Sequence, residues 1–78
     1  MTNSPAATLD AKGLSCPLPV VKARLEMEKL TSGDVLLVMA TDPGSVSDFA
    51  NWTKMSGHEL LSSDQDGDVY SYLIRKGD

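Results

Sequence analysis

Val35-Leu36-Leu37-Val38-Met39-Ala40-Thr41 is a continuous apolar run in the middle of the chain. It has the length of a β-strand, and its β-branched valines favour an extended backbone. Apolar residues at successive positions, rather than at alternate ones, are typical of a strand covered on both faces. We therefore predict a β-strand over 35–41 that is buried on both faces.

Upstream of this run, the sequence predicts a short strand followed by a helix. Residues 8–10 form the strand, which the Lys12-Gly13 turn signal ends. The helix is predicted from Cys16-Pro17 to about Leu30, because proline is favoured at the first helical position, where its missing N–H has no helical partner. Gly33 supplies a stop signal before the apolar run.

Downstream, the sequence predicts a second helix and a β-hairpin. Pro43-Gly44 marks a loop, and a helix follows over about 46–56. Ser45 and Asp48 have the spacing of a capping box, and Asp42 is an alternative cap. The hairpin comprises a strand over 59–63, a turn over 64–68 and a strand over 69–75.

These elements occur in the order β-α-β-α-β-β, which defines the fold class. Crossovers between parallel strands are right-handed, so both helices should lie on one face of the sheet. The prediction is an α/β protein, a two-layer α/β sandwich with a four-stranded mixed sheet whose last two strands are antiparallel. A chain of 78 residues has room for one domain. We place this domain over residues 8–78, after a flexible polar arm of residues 1–7.

Composition argues against some classes of protein and excludes others. The 11 acidic residues against 7 basic ones give a net charge of −4, which opposes the positive field that nucleic-acid and anionic-membrane binding require. One cysteine cannot form an internal disulfide or a cysteine-rich zinc site. No stretch is apolar for long enough to span a bilayer, and no export signal is recognisable. A lone thiol without such a signal predicts a cytoplasmic protein.

Cys16 is the candidate nucleophile. Because it precedes Pro17, it should be the extended N-cap of the first helix, with its sulfur near the free amides. The helix dipole stabilises a thiolate there and lowers the thiol pKa. Pro17 and Pro19 stiffen the turn but remove two amides, which leaves the N–H of Leu18 as the nearest donor. The sequence therefore predicts a nucleophile of moderate acidity.

Several kinds of chemistry compete for a lone cysteine. The main alternative is a non-catalytic regulatory or binding module with a buried structural cysteine, and an RNA-binding α/β domain is a third interpretation. A dithiol oxidoreductase is excluded because Pro19 stands where the second thiol would be. A cysteine hydrolase would need His58, the only histidine, as its base. No metal-ligand spacing is present, so we predict neither a metal nor a cofactor. One accessible thiol also suits a persulfide carrier, since no second thiol can discharge it.

Four segments, in order along the chain, resemble those of a known family. They are Leu9-Asp10-Ala11-Lys12-Gly13-Leu14-Ser15-Cys16-Pro17-Leu18-Pro19, Ala40-Thr41-Asp42-Pro43 followed by Asp48, Gly57-His58-Glu59-Leu60, and Tyr72-Leu73-Ile74-Arg75-Lys76-Gly77. Together they resemble the TusA/SirA-like sulfurtransferases, whose signature is Cys-Pro-x-Pro. The resemblance covers nearly the whole chain beyond the arm. It implies the family's βαβαββ sandwich, which agrees with the fold predicted from the residues.

The resemblance implies a sulfurtransferase that accepts sulfane sulfur as a persulfide on Cys16 and passes it on. The implied donors are a cysteine desulfurase or a rhodanese-like protein, and the implied acceptor is a DsrE-like or other relay protein. The branch that serves tRNA thiolation often has Glu and Arg where this chain has Leu18 and Ser15. The pathway is therefore left open among tRNA thiolation, sulfur oxidation and molybdenum-cofactor synthesis. We predict a monomer that contacts neither nucleic acid nor membrane directly.

Several residues are predicted to surround Cys16. If the first two strands are parallel neighbours, their carboxyl ends share one sheet edge, which brings Asp42 to Cys16. Asp42 would then raise the thiol pKa, and we assign it a catalytic role beside Cys16. The alternative is that it serves only as a turn cap. Asp48 is interpreted as a first-turn helix acid. Lys12, Lys22 and Arg24 are the nearby cations, and the residues assigned a supporting role are Pro17, Pro19, Lys12, Gly13 and Arg24.

The first helix is predicted to have two apolar faces. One face should contact the sheet through Val20, Ala23, Met27 and Leu30. The opposite face, which we call the outer stripe, lies beside Cys16 and comprises Leu18, Val21 and Leu25. The outer stripe is either ordinary exposed apolar surface or a docking patch for a partner protein.

Overall fold

Two helices and four strands make up residues 5–77, which the structure, a computed structural model, describes. In chain order they are β1 (Ala7–Ala11), α1 (Leu18–Glu28), β2 (Val35–Ala40), α2 (Ser45–Ser56), β3 (Glu59–Asp66) and β4 (Val69–Arg75). The predicted α/β class and the βαβαββ order are confirmed. Neither helix in this part of the chain is long and apolar enough to cross a membrane.

The four strands form one mixed sheet in the order β1-β2-β4-β3. β1 pairs in parallel with β2, from Ala7 opposite Leu36 to Ala11 opposite Ala40. β4 lies antiparallel to β2 on its other side, and β3 is antiparallel to β4. Because β1 and β2 are parallel neighbours, the loops that follow them leave the sheet at the same edge.

The core lies between one face of the sheet and the two helices. The strands contribute alternate side chains, of which the buried ones are Ala11, Leu36, Val38, Ala40, Tyr72 and Ile74. α1 buries Ala23 and Met27 against them, and α2 buries Phe49. The rings of Phe49 and Tyr72 stack with their centroids 4.5 Å apart. The two helices thus form the second layer of the predicted sandwich.

β2 differs from its prediction in how its two faces are covered. Leu36, Val38 and Ala40 are buried under the helices. On the opposite face Val35 is buried at the start of the strand, whereas Leu37 and Met39 are half-buried. Helices cover one side of the sheet, so the apolar run marks a central strand between β1 and β4 rather than one enclosed on both faces. The prediction of burial on both faces is therefore confirmed on the helix side and at Val35, and it is wrong at Leu37 and Met39.

Two boundaries also differ from the prediction. The prediction places Ala7 in the arm, but Ala7 is the first residue of β1, and the N–H of Ala6 donates to the carbonyl of Val35 over 2.7 Å. Residues 1–4 of the predicted arm lie outside the described residues. β3 continues to Asp66, because its polar residues still pair with β4 at the edge of the sheet. The turn begins at Gly67, whose φ of 60° suits a two-residue hairpin loop and strains glycine least.

The start of α2 does not form the predicted capping box. Ser45 is the first residue of the helix, and its hydroxyl bonds to the hydroxyl of Tyr72 over 2.7 Å instead of capping the backbone. Asp42 accepts from the N–H of Gly44 over 3.2 Å and so holds the turn that leads into the helix. The Ser45 hydroxyl bonds to Tyr72 rather than to the helix backbone, because a buried tyrosine hydroxyl is stable only when it is hydrogen-bonded.

Ser45 and Tyr72 form a buried polar pair in an otherwise apolar core. Both residues are almost completely buried. Burial raises the pKa of the Tyr72 hydroxyl, and the bond to Ser45 opposes that rise in part. Each hydroxyl satisfies the other, so removing one partner leaves a buried polar group without a hydrogen bond.

This pair generates a prediction about stability. Tyr72→Phe and Ser45→Ala should each lower the free energy of unfolding by about 1–3 kcal/mol, because each leaves one hydroxyl unsatisfied. The double variant should lose less than the sum of the two, since neither polar group then remains. Urea unfolding of the four proteins measures these differences, and strictly additive losses would show that the two hydroxyls are not coupled.

Candidate functional site

Cys16 lies in the loop between β1 and α1. The N-cap of α1 is Pro17, and the helix begins at Leu18. The prediction places Cys16 at the N-cap, but the residue lies one position before it. The N–H of Leu18 donates to the carbonyl of Ser15 over 2.9 Å, and this tight turn delays the helix start. The side chain of Cys16 is exposed, so the alternative of a cysteine buried in the core is wrong.

Two loops are joined by hydrogen bonds around Cys16. Its backbone N–H donates to Asp42 Oδ2 over 2.5 Å. One turn earlier in the same loop, the N–H of Gly13 donates to Thr41 Oγ1 over 2.9 Å. Asp42 therefore holds its own turn and also bridges the loop after β2 to the loop after β1. Its assigned catalytic role stays a prediction.

Asp48 contacts the reactive sulfur itself. The Sγ–H of Cys16 donates to Asp48 Oδ2, across a separation of 32 residues in the chain. Asp48 is also an acidic residue in the first turn of α2, as its position predicted. Sequence reasoning missed the contact with sulfur. The available signal was that Asp48 follows Asp42 in the same ordered segment of the family resemblance.

The surroundings raise the pKa of the Cys16 thiol above its ordinary value. The hydrogen bond to Asp48 is the largest cause, followed by loss of water around the sulfur, the charge of Asp48 and the charge of Asp42. The amides that should have opposed this rise are absent at Pro17 and Pro19, and the N–H of Leu18 is bonded to Ser15. The direction of this shift is opposite to the lowered pKa that the predicted moderate acidity requires.

The prolines and cations assigned to the site have different surroundings. Pro19 is buried on the core side of α1, whereas Pro17 is exposed. Lys12 lies with its Nζ 3.8 Å from Asp10 in an exposed pair. Arg24 is exposed on α1, as is Lys22. The charges that act on the thiol are those of Asp48 and Asp42, not those of these cations.

His58 lies at the other end of α2 from the sulfur. It follows the helix, accepts a hydrogen bond from the N–H of Gly77 at Nδ1 over 3.0 Å, and packs edge-on against Trp52. Burial, then the charge of Lys76, lowers the pKa of its imidazole. Asp48, which contacts Cys16, lies about 12 Å along the helix axis from the end of α2 at Ser56, at a rise of 1.5 Å per residue. The structure therefore does not pair His58 with Cys16, and the hydrolase alternative fails.

The outer stripe of α1 is exposed. Leu25 keeps 51% of its surface accessible, and Leu18 and Val21 are also exposed. An open groove of about 560 Å³ borders Leu25, between α1 and the edge strand β1; it is lined by Leu9, Lys22, Leu25, Glu26, Glu28 and Lys29. Within residues 5–77, no three histidine, cysteine or acidic side chains are arranged to hold a metal ion.

The fold and the site together define a class of protein: a small two-layer α/β sandwich with an exposed cysteine just before its first helix. Residues 7–76 match the family described as Sulfurtransferase TusA. This chain belongs to that family, and the resemblance inferred from the sequence motifs is confirmed.

Relatives of known name and structure agree with this assignment. The sulfur carrier protein TusA of Allochromatium vinosum is 48% identical over 68 residues, which cover 87% of this chain and 90% of that protein. YrkF of Bacillus subtilis is 46% identical over 69 residues, or 88% of this chain, but the match spans only 37% of YrkF. The crystal structure of a SirA-like protein from Desulfitobacterium hafniense superposes with a TM-score of 0.80 at 26% identity, covering 92% of this chain and 99% of that one.

The two carboxylates generate a prediction about the acidity of Cys16. Asp48→Asn and Asp42→Asn should each lower the thiol pKa, because removal of a negative charge favours the thiolate. The shift should be larger for Asp48→Asn, since Asp48 contributes both a hydrogen bond and a charge. Titration of the thiolate by its ultraviolet absorbance measures both shifts.

A matched control for this titration is Asp64→Asn, which removes an exposed carboxylate from β3. It should leave the thiol titration unchanged. If neither Asp48→Asn nor Asp42→Asn moves the titration, the two acids do not act on the sulfur. If Asp42→Asn has the larger effect, the order of the two influences is reversed.

Proposed function

We propose that this protein is a sulfur carrier that accepts sulfane sulfur as a persulfide on Cys16 and passes it to an acceptor protein. The observation that carries the proposal is the exposed thiol of Cys16 in a chain that belongs to the TusA sulfurtransferase family. Cys16 is the only cysteine, so a second thiol of the same chain cannot displace the bound sulfur.

The chemistry needs only the thiol and a persulfide donor. The Cys16 thiolate attacks the outer sulfur of the donor persulfide, a new S–S bond forms on Cys16, and the S–S bond of the donor breaks. The donor leaves as a thiolate and takes a proton, while the proton of the Cys16 thiol passes to solvent. No electrons are gained or lost overall, so no redox cofactor is needed.

The proposed partners are proteins that offer or accept a sulfur atom. A cysteine desulfurase or a rhodanese-like protein fits as the donor, and a DsrE-like or other relay protein fits as the acceptor. Three pathways stay open for the transferred sulfur, namely tRNA thiolation, sulfur oxidation and molybdenum-cofactor synthesis. The lone thiol is consistent with a reducing compartment such as the cytoplasm.

The outer stripe is proposed as the docking patch for these partners. Leu18, Val21 and Leu25 are exposed apolar residues on the helix that begins beside Cys16. A partner must bring its own sulfur into contact with Cys16 and then leave, which suits a small apolar patch and a transient complex. The groove beside Leu25 adds a concave surface to this helix face.

Replacement of the thiol tests the proposed function. Cys16→Ser should remain folded, because the side chain is exposed, and should take up no sulfur, because a hydroxyl cannot form a persulfide. Intact-mass analysis after incubation with a cysteine desulfurase and cysteine detects the added sulfur. Ser15→Ala, a change in the neighbouring exposed residue, should keep full uptake. Sulfur uptake by Cys16→Ser, or none by the unchanged protein, contradicts the proposal.

A second variant tests the docking patch. Leu25→Glu should weaken binding to the donor enzyme by about 1–3 kcal/mol if Leu25 is a central contact. Its melting temperature should barely change, because a substitution at an exposed position leaves no cavity. Met55→Glu is the control, since Met55 is 85% exposed and lies on α2 rather than on the helix that carries the outer stripe. Equal affinities for the two variants and the unchanged protein would show that the outer stripe is incidental surface.

A further inference from the structure

The carboxylate of Asp48 contacts the sulfur of Cys16, which is the reacting atom of the proposed function. Among residues 5–77, the ion pairs are Lys12 with Asp10, Lys29 with Glu26 and Arg75 with Glu59, so no basic side chain neutralises Asp48. Its carboxylate accepts the hydrogen bond from the thiol of Cys16. Any negative charge that forms on this sulfur therefore faces an uncompensated carboxylate.

The other groups around Cys16 reinforce this negative environment. From the loop after β2, the carboxylate of Asp42 holds the backbone N–H of Cys16. From β4, Tyr72 lies close enough for the charges of both acids to act on it, and burial raises its pKa, so it is uncharged at neutral pH. From α1, Lys22 and Arg24 are exposed and do not offset the acids at the sulfur.

A like charge beside the thiolate acts on every reaction of Cys16, and its effect depends on the co-reactant. A co-reactant with a positive group near its own sulfur lowers the free energy of the charged encounter, whereas one with a negative group raises it. The charge also moves during transfer, from the Cys16 sulfur to the departing sulfur of the donor. A cation on the donor stabilises this negative charge throughout the transfer. Asp48 repels the negative charge most at the start, when the charge is on the Cys16 sulfur.

We propose that Asp48 is a specificity-determining residue, which selects sulfur donors and acceptors that carry a cationic group beside their reacting sulfur. This inference rests on the proposed persulfide chemistry at Cys16. The protein partner that fits is one whose active cysteine has a lysine, arginine or protonated histidine next to it. The carboxylate of Asp48 opposes formation of the thiolate and, relative to cationic co-reactants, disfavours reaction with uncharged or anionic small molecules.

Small disulfides of different charge test this selectivity without a partner protein. Three symmetric disulfides of similar size carry ammonium, hydroxyl or carboxylate end groups. With each one, the Cys16 thiolate forms a mixed disulfide and releases one small thiolate. The rates are measured at neutral pH and low salt. Each rate is divided by the rate at which free mercaptoethanol reacts with the same disulfide, which corrects for the intrinsic reactivity of the probe.

We expect the corrected rates to fall in the order ammonium, hydroxyl, carboxylate. Two unit charges about 6 Å apart in water interact strongly enough for the first and last probes to differ by about tenfold. In Asp48→Asn this ratio should fall severalfold, and Asp48→Glu should retain most of it. Asp64→Asn, which removes one exposed carboxylate on β3, should keep the full ratio. Higher ionic strength should reduce the ratio in the unchanged protein.

Three results would overturn the inference: a corrected ratio near one for the unchanged protein, a ratio that Asp48→Asn leaves intact, or a ratio insensitive to salt. Circular dichroism shows whether Asp48→Asn is folded. If it is not, the salt series on the unchanged protein and the Asp48→Glu variant decide the question.

A parallel measurement separates this inference from the proposed function. The unchanged protein is incubated with small persulfides bearing the same three end groups, and the added sulfur is followed by intact mass. Uptake that prefers the ammonium donor supports both proposals. Uptake without charge preference overturns the role of Asp48 alone, and no uptake from any donor overturns the persulfide chemistry itself.

Discussion

The parallel pairing of β1 with β2 is the constraint on which the site depends. It places the loop that carries Cys16 and the loop that carries Asp42 at one edge of the sheet. The bonds from Cys16 to Asp42 and from Gly13 to Thr41 then join the two loops. With antiparallel strands the same residues would leave at opposite edges, and neither bond could form.

At the sulfur, a direct contact outweighs the general effect of a helix start. The dipole of α1 favours a thiolate, but it acts mainly through free backbone amides in the first turn. Pro17 and Pro19 have none, and the amide of Leu18 is already bonded. The carboxylate of Asp48 touches the thiol directly, so its influence decides the direction of the pKa shift. The result is a thiol that is exposed and whose pKa is raised rather than lowered.

The core below the site fixes the position of this carboxylate. Ser45 opens α2 and is held by the hydroxyl of Tyr72 on the central part of the sheet. Phe49, directly after Asp48, stacks on the same tyrosine ring. Because these neighbours on both sides are buried, the first turns of α2 are anchored and Asp48 is presented to the loop of Cys16. A partner protein therefore meets a preformed arrangement of thiol and acids.

Local signals in the sequence determined the order of elements, the mixed sheet and the exposure of the outer stripe, because strand length, turn glycines and helical periodicity act over a few residues. The predicted parallel pairing of the first two strands was also enough to place Asp42 near Cys16. The cover on β2 was decided by the tertiary structure, since an apolar run does not reveal whether one helical layer or two will pack on it. The contact of Asp48 with the thiol spans 32 residues. It depends on where α2 lies across the sheet, and the hydroxyl pair of Ser45 and Tyr72 helps to set that position. No pattern within either segment specifies this placement.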